Sequence, residues 1–229
     1  MSSRVLYDLA GADEDRRFSP YCWRTRMALA HKGLSVDAVP WRFTEKDAIA
    51  FSGQGKVPVL KDGDRTIVDS WAIAVYLEEA YPDRPSLFGG PAAMAVTRFL
   101  NAWADRVLIP GIAPLIVSDI HDCLHEKDKS YFRTTREKAF GAPLESVSAD
   151  RDARVAGLRR ALDPLRTVLR TQPFLAGAAP SYADYIPFGA FQWARCTSSF
   201  ALLEPDDPIA AWVGTLLEAF DGLAKNARS

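Results

Sequence analysis

The chain has 229 residues, 28 Lys and Arg against 29 Asp and Glu, and three cysteines. A formal net charge of −1 excludes a protein held to nucleic acid or anionic membrane by bulk electrostatics. Cys22, Cys123 and Cys196 are odd in number and widely spaced, which suits a reducing compartment better than a disulfide framework. Met1-Ser2-Ser3-Arg4 opens without the apolar core of a signal peptide, and no run approaches the ~18 apolar residues of a membrane span. The expectation is a cytoplasmic globular protein.

Arg4 to Leu9 alternates and is β-rich, a first strand. After a charged loop, Ser19-Pro20 opens a helix: Ser suits the N-cap, and Pro suits the first position, where no N–H partner is needed. His31-Lys32-Gly33 ends it. Val36 to Phe43 reads as strand, Glu45 to Phe51 as a short helix, and Ser52 to Gly55 as a loop. Val57 to Leu60 and Thr66 to Val68 are strands joined at Asp62-Gly63-Asp64. Asp69-Ser70 then caps a helix through Tyr81. This β-α-β-α-β-β-α order predicts a small α/β domain over residues 1–83.

Tyr81 to Pro91 is a linker, and residues 91–229 read as an all-helical domain. One or two helices span Ala92 to His125, interrupted at Pro110 and Pro114. Glu126 to Ala149 reads as a polar excursion. Asp150 to Arg170 is one amphipathic helix with Val155, Leu158, Leu162, Leu165 and Leu169 on a stripe. Ala183 to Phe200 and Pro208 to Ala224 complete the domain.

Four motifs carry possible chemistry. Ser19-Pro20-Tyr21-Cys22 sits where a helix N-terminus would stabilise a thiolate, although an isolated Ser-Pro is more often a plain cap. Lys56-Val57-Pro58-Val59 places Pro at a strand entry. A cis Val57-Pro58 bond would leave the Val57 N–H and C=O free for an extended peptide, whereas an ordinary edge strand also begins this way. Asp69-Ser70 offers a carboxylate for an ammonium and a hydroxyl for a carboxylate, or again only a cap. Ser181-x-x-Asp184 is a capping box and is structural. His121 and His125 stand four apart, but with Asp122 following and no third ligand the pair does not read as a metal site.

Together these motifs resemble the cytosolic glutathione S-transferases: a thioredoxin-like first domain with Ser-Pro-Tyr, Val-Pro and Asp-Ser, then a helical domain with Phe-Leu-x-Gly-x-x-Pro-Ser-x-x-Asp. Phe18 to Gly33 and Asp69 to Pro85 are similar to the bacterial β-etherase class, related to fungal serine-type transferases. The resemblance implies glutathione as co-substrate, no metal, and a homodimer. It implies Ser19 as the catalytic hydroxyl that lowers the glutathione thiol pKa. Val57 would pair with the cysteinyl unit, Asp69 and Ser70 would hold the γ-glutamyl end, and Lys56, Arg42 and Gln54 the glycyl carboxylate. Phe18, Trp23, His121 and Tyr131 are candidate walls for an aromatic electrophile. Cys22, at the inward position of such a turn, is expected to be inert. General conjugation, peroxide reduction, or storage of an aromatic ligand would use the same pocket.

Overall fold

A computed structural model describes residues 4–229; residues 1–3, which bear on the reading of the chain's start, lie outside it. Strands β1 (Arg4–Leu9), β2 (Asp37–Trp41), β3 (Val59–Asp62) and β4 (Arg65–Val68) form one sheet in the order β2-β1-β3-β4. β1 pairs parallel to β2 and antiparallel to β3, and β3 pairs antiparallel to β4. Helix α1 (Pro20–His31) connects β1 to β2, a 3₁₀ segment spans Lys46–Ser52, and α2 (Ser70–Ala80) follows β4. This is the expected thioredoxin-like arrangement.

The register decides where a site can lie. Tyr7 pairs with Val59, and Val59 with Val68. The end of β1, the approach to β3 and the end of β4 therefore converge on one end of the sheet. Ser19, Val57 and Asp69 all follow or precede those ends.

The second half is helical: α3 (Pro91–Trp103), α4 (Ile109–Cys123), α5 (Glu126–Phe140), α6 (Leu144–Ser148), α7 (Arg151–Ala161), α8 (Asp163–Leu169), α9 (Tyr182–Thr197) and α10 (Pro208–Gly222). Three sequence expectations are corrected here. The prolines at 110 and 114 do not break the run from Pro91 to Cys123. A π-helical stretch, Ala104–Leu108, resets the register, with Ile109 N–H donating to Ala104 C=O five residues back. Pro110 then falls in the first turn of α4, where its missing donor costs nothing.

The polar stretch after His125 is not an excursion but α5 and α6. Glu126 and Asp128 favour the start of α5, Lys138 lies in its last turn, and Gly141 ends it at φ 71°. The stripe from Val155 to Leu169 is split into α7 and α8, with Pro164 in the first turn of the second.

The 33-residue run from Pro91 to Cys123 is long and apolar enough, by length and composition, to cross a membrane. Here, however, its Leu108, Ile112, Leu115, Ile116 and Ile120 are buried in the core. The two halves meet where α9 packs on α1. Gly189 makes that approach possible, since a Cβ there would stand 2.4 Å from the Pro20 carbonyl oxygen. Asp184 closes the capping box with Ser181 and also accepts the Trp212 indole N–H at 3.0 Å.

Candidate active site

A cleft of about 400 Å³ lies between the two halves. Leu9, Phe18, Ser19, Tyr21, Lys56 and Val57 line one wall, all drawn there by the convergence of the sheet ends with the start of α1. Ser19 is the N-cap of α1, with extended backbone, and is 4% exposed. Its Oγ accepts the Cys22 amide at 3.3 Å, and the hydroxyl proton has no acceptor among the described residues. An anion placed at this hydroxyl would also meet the positive end of the helix.

The Val57-Pro58 bond is cis. Val57 precedes the β3 ladder, and its N–H and C=O form no backbone bond among the described residues. Asp69 adopts φ 74°, uncommon for a residue with a side chain, and its Oδ1 caps the amides of Trp71 and Ala72 at 2.9 and 3.0 Å. Asp69 is exposed. Ser70 is 2% exposed, and its carbonyl accepts the Tyr182 hydroxyl at 2.8 Å. The pair lies beyond the cleft lining, at the same end of the sheet as Val57.

Other sequence-predicted residues fall elsewhere. Arg42 is not on the cleft: it is buried, donates to the Gly11 and Ala12 carbonyls, and pairs with Glu14 and Glu45. Its guanidinium is spent on holding the loop after β1. Gln54 is half-buried in its loop and off the lining. Trp23 is fully buried beneath Arg26, with its indole N–H bonded to the Arg17 carbonyl. One turn into α1, it faces the core rather than the cleft. His121 stands behind Phe132, with ring centroids 6.5 Å apart, and faces Asp122. Phe18 and Tyr131 do line the cleft. His125 caps α5 by accepting the Lys127 amide. Cys22 is fully buried, and burial pushes its thiol well up, the nearby Asp8 carboxylate adding to that.

Sequence reasoning missed most of the second wall. Ile109, Ala113, Val117 and Ile120 form one stripe of α4, and Phe132, Arg136 and Phe140 one stripe of α5. Both spacings were visible, but the second was hidden by reading α5 as loop. Trp193 carried no distinguishing signal in an almost wholly buried α9. Lys46 reaches the cleft across the faces of Trp41 and Tyr131 and donates to the Gly55 carbonyl at 2.5 Å.

Asp128, also missed, fixes the two walls together. It is fully buried and accepts hydrogen bonds from the Phe43 and Thr44 amides and the Thr44 hydroxyl, at 2.8, 3.0 and 2.6 Å. Charged acceptors of this kind are worth more than neutral ones. The end of β2 and the start of α5 are thereby held in one arrangement.

The chain matches the glutathione S-transferase N-terminal domain over residues 15–85 and the glutathione S-transferase C-terminal domain over residues 95–204. Glutathione S-transferase 4 of Zea mays is 28% identical over 202 residues, covering 85% of this chain and 82% of that protein. The glutathione S-transferase-like protein ustS of Aspergillus flavus is 28% identical over 143 residues, covering 56% of this chain and 50% of its own length. The match thus spans only about half of that relative. The crystal structure of glutathione transferase GSTFuA3 from Phanerochaete chrysosporium shares the fold, at TM-score 0.85 and 22% identity over 97% of both chains. A glutathione S-transferase of Ceriporiopsis subvermispora, crystallised with glutathione, gives TM-score 0.77 at 26% identity over 97% of this chain and 93% of that one. With both domain models matched in order and the fold shared end to end, the chain belongs to the glutathione S-transferase family.

Proposed function

We propose that this protein is a glutathione transferase of the serine type, acting on hydrophobic aromatic electrophiles. The observation that carries the reading is Ser19: a buried hydroxyl with an uncommitted proton, at the N-terminus of α1, opening on a cleft with aromatic walls. Glutathione would lie extended along Val57, with its γ-glutamyl end at Asp69 and Ser70 and its glycyl carboxylate at Lys56 and Lys46. The relative from Ceriporiopsis subvermispora, crystallised in complex with glutathione, supports glutathione as the ligand. Ser19 would donate to the sulfur, and the helix terminus would add to the stabilisation of the thiolate.

A free thiol near pKa ~8.5–9 is only a few per cent ionised at neutral pH, so each ~1.4 kcal/mol of preferential stabilisation gives about tenfold more nucleophile. Within this reading the electrophile is an aryl ketone bearing a β-aryl ether. The thiolate attacks the carbon next to the ketone, a C–S bond forms, the C–O bond breaks, and the phenolate leaves with the electron pair. Aromatic walls hold both rings.

Ser19→Ala should lower turnover at neutral pH by about tenfold or more while changing glutathione affinity far less. Full activity in that variant would refute the role given to Ser19. Free phenol released from a β-aryl ether ketone in the presence of glutathione tests the substrate, and no phenol from any stereoisomer would remove ether cleavage while leaving conjugation open.

A homodimer completes the reading. Val96 and Phe99 stand 70% and 74% exposed on α3, more apolar surface than a solitary helix face needs. Light scattering on the wild type and on a Val96→Glu, Phe99→Glu double variant should show a dimer becoming a monomer. A monomeric wild type would contradict it.

A further inference from the structure

The charges around the cleft are unbalanced. Lys46, Lys56 and Arg136 line it, and among the described residues no carboxylate does. Lys46 and Lys56 belong to the first-domain wall, where the glycyl carboxylate of glutathione is placed above. Arg136 belongs to the opposite wall, on α5, among the aromatic side chains that would face the electrophile.

Arg136 has no acidic partner among the described residues. Its guanidinium lies over the rings of Phe132 and Phe43, 5.0 and 5.8 Å from their centroids, and among the described residues its only side-chain hydrogen bond goes to the neighbouring Thr135 hydroxyl at 3.3 Å. The nearby carboxylates of Glu137 and Glu145 are taken by Arg133, at 3.0 and 2.8 Å. Burial pulls the Arg136 pKa down, offset only by the Tyr131 phenol. A partly desolvated guanidinium resting on two aromatic faces, with spare donors and no counter-charge, is poised to receive an anion attached to an aromatic body.

We propose that the electrophile half of the cleft is built for aromatic compounds that carry an anionic group, such as a carboxylate, and that Arg136 is the residue that recognises it. The proposal rests on the glutathione-transferase reading, because it assigns the second substrate of that same cleft. No new chemical step is involved: the anionic group binds, and the reacting carbon is elsewhere on the molecule.

The test compares two thioethers by calorimetry: S-(4-carboxybenzyl)glutathione and the corresponding carboxamide, which has the same shape without the charge. Wild-type protein should bind the carboxylate about tenfold tighter, the gain expected of one charge-assisted hydrogen-bonded pair in a half-open site. That ratio should shrink as salt is raised. In Arg136→Gln it should fall to about one, and Arg136→Lys should retain an intermediate ratio, since charge persists without the planar fork. The salt dependence and the Lys variant keep the test decisive if the Gln variant folds poorly.

A wild-type ratio of one or less overturns the proposal, as does a preference that survives in Arg136→Gln. So does an Arg136→Gln variant that weakens both thioethers equally with no wild-type preference, which would assign Arg136 to the glycyl carboxylate instead. If neither thioether nor glutathione itself binds, the glutathione reading fails first. If S-benzylglutathione binds well and the carboxylate shows no advantage, the inference about Arg136 alone is refuted.

Discussion

Ser19 and Cys22 are joined by one hydrogen bond, from the Cys22 amide to the Ser19 hydroxyl oxygen at 3.3 Å, yet their side chains serve opposite environments. Ser19 opens on the cleft, while the Cys22 thiol is sealed in the core. Alkylation of the native protein followed by mass mapping should therefore label Cys123, which is only half-buried, before Cys22 or Cys196. Burial raises all three thiols, but Arg16 lies 3.6 Å from Cys123 and partly offsets its shift. Rapid labelling of Cys22 in folded protein would show that the start of α1 opens far more than this packing allows.

Arg24 is fully buried on α1 and reaches Asp105, on the π-helical stretch, at 2.8 Å. Asn101 and the Ile186 carbonyl complete its contacts, and Tyr21 stacks on it from the cleft side. Asp105→Ala leaves this guanidinium short of its counter-charge. Urea unfolding should show a loss of about 2–3 kcal/mol, under the ~3–5 kcal/mol typical of a fully buried pair, because Asp105 is partly exposed and two acceptors remain. Arg24→Met, which removes both the charge and the need for a partner, should cost less than Arg24→Ala.

Gly189→Ala would drive a methyl group into the Pro20 carbonyl, one residue from Ser19. The Pro20 carbonyl is backbone, and Arg24 Cγ, 3.3 Å from the same point, is not a free side-chain end, so α9 or the first turn of α1 must shift. Overpacking of this kind costs about 1–3 kcal/mol. Because the displaced turn carries Ser19, kcat should fall in Gly189→Ala by more than the stability loss alone explains, measured well below the melting transition.

Glu78 ties α2 to α1 and to the linker. Its carboxylate meets the buried Lys32 ammonium at 2.6 Å and accepts the Leu87 amide at 2.8 Å and the Ser86 hydroxyl. Burial alone would raise its pKa, but these donors win and hold it below the ordinary carboxylate value. Its contribution to stability is therefore full above the unfolded-state pKa and is lost as pH falls through the lower folded value. Chemical denaturation at a series of acidic pH values should show this loss in the wild type. Glu78→Gln should start about 1–3 kcal/mol lower at neutral pH and lose less on acidification.

How much of this was legible depended on whether a signal was local. The cap at Ser19, the Val57-Pro58 entry, the cap at Asp69 and the box from Ser181 to Asp184 are short-range patterns, and each appears in the structure where it was read. Arg42 and Trp23 were misplaced because what consumes them, the loop carbonyls of Gly11 and Ala12 for one and the Arg17 carbonyl for the other, depends on how the segment after β1 wraps back. The Pro110 break was misjudged because a π-helical register change can absorb a proline without ending the run, while Pro114 sits inside α4, which continues through it to Cys123. The wall on α5 was lost for a different reason: its charged residues masked the four-residue spacing of Phe132, Arg136 and Phe140.

The central claim is that Ser19 stabilises the glutathione thiolate. It is tested most directly by titrating the thiolate absorbance of bound glutathione in the wild type and in Ser19→Ala. The wild type should ionise the bound thiol about one pKa unit or more below the free tripeptide, and Ser19→Ala should return most of that shift, about tenfold less thiolate at neutral pH. Identical titration curves for the two proteins would contradict it.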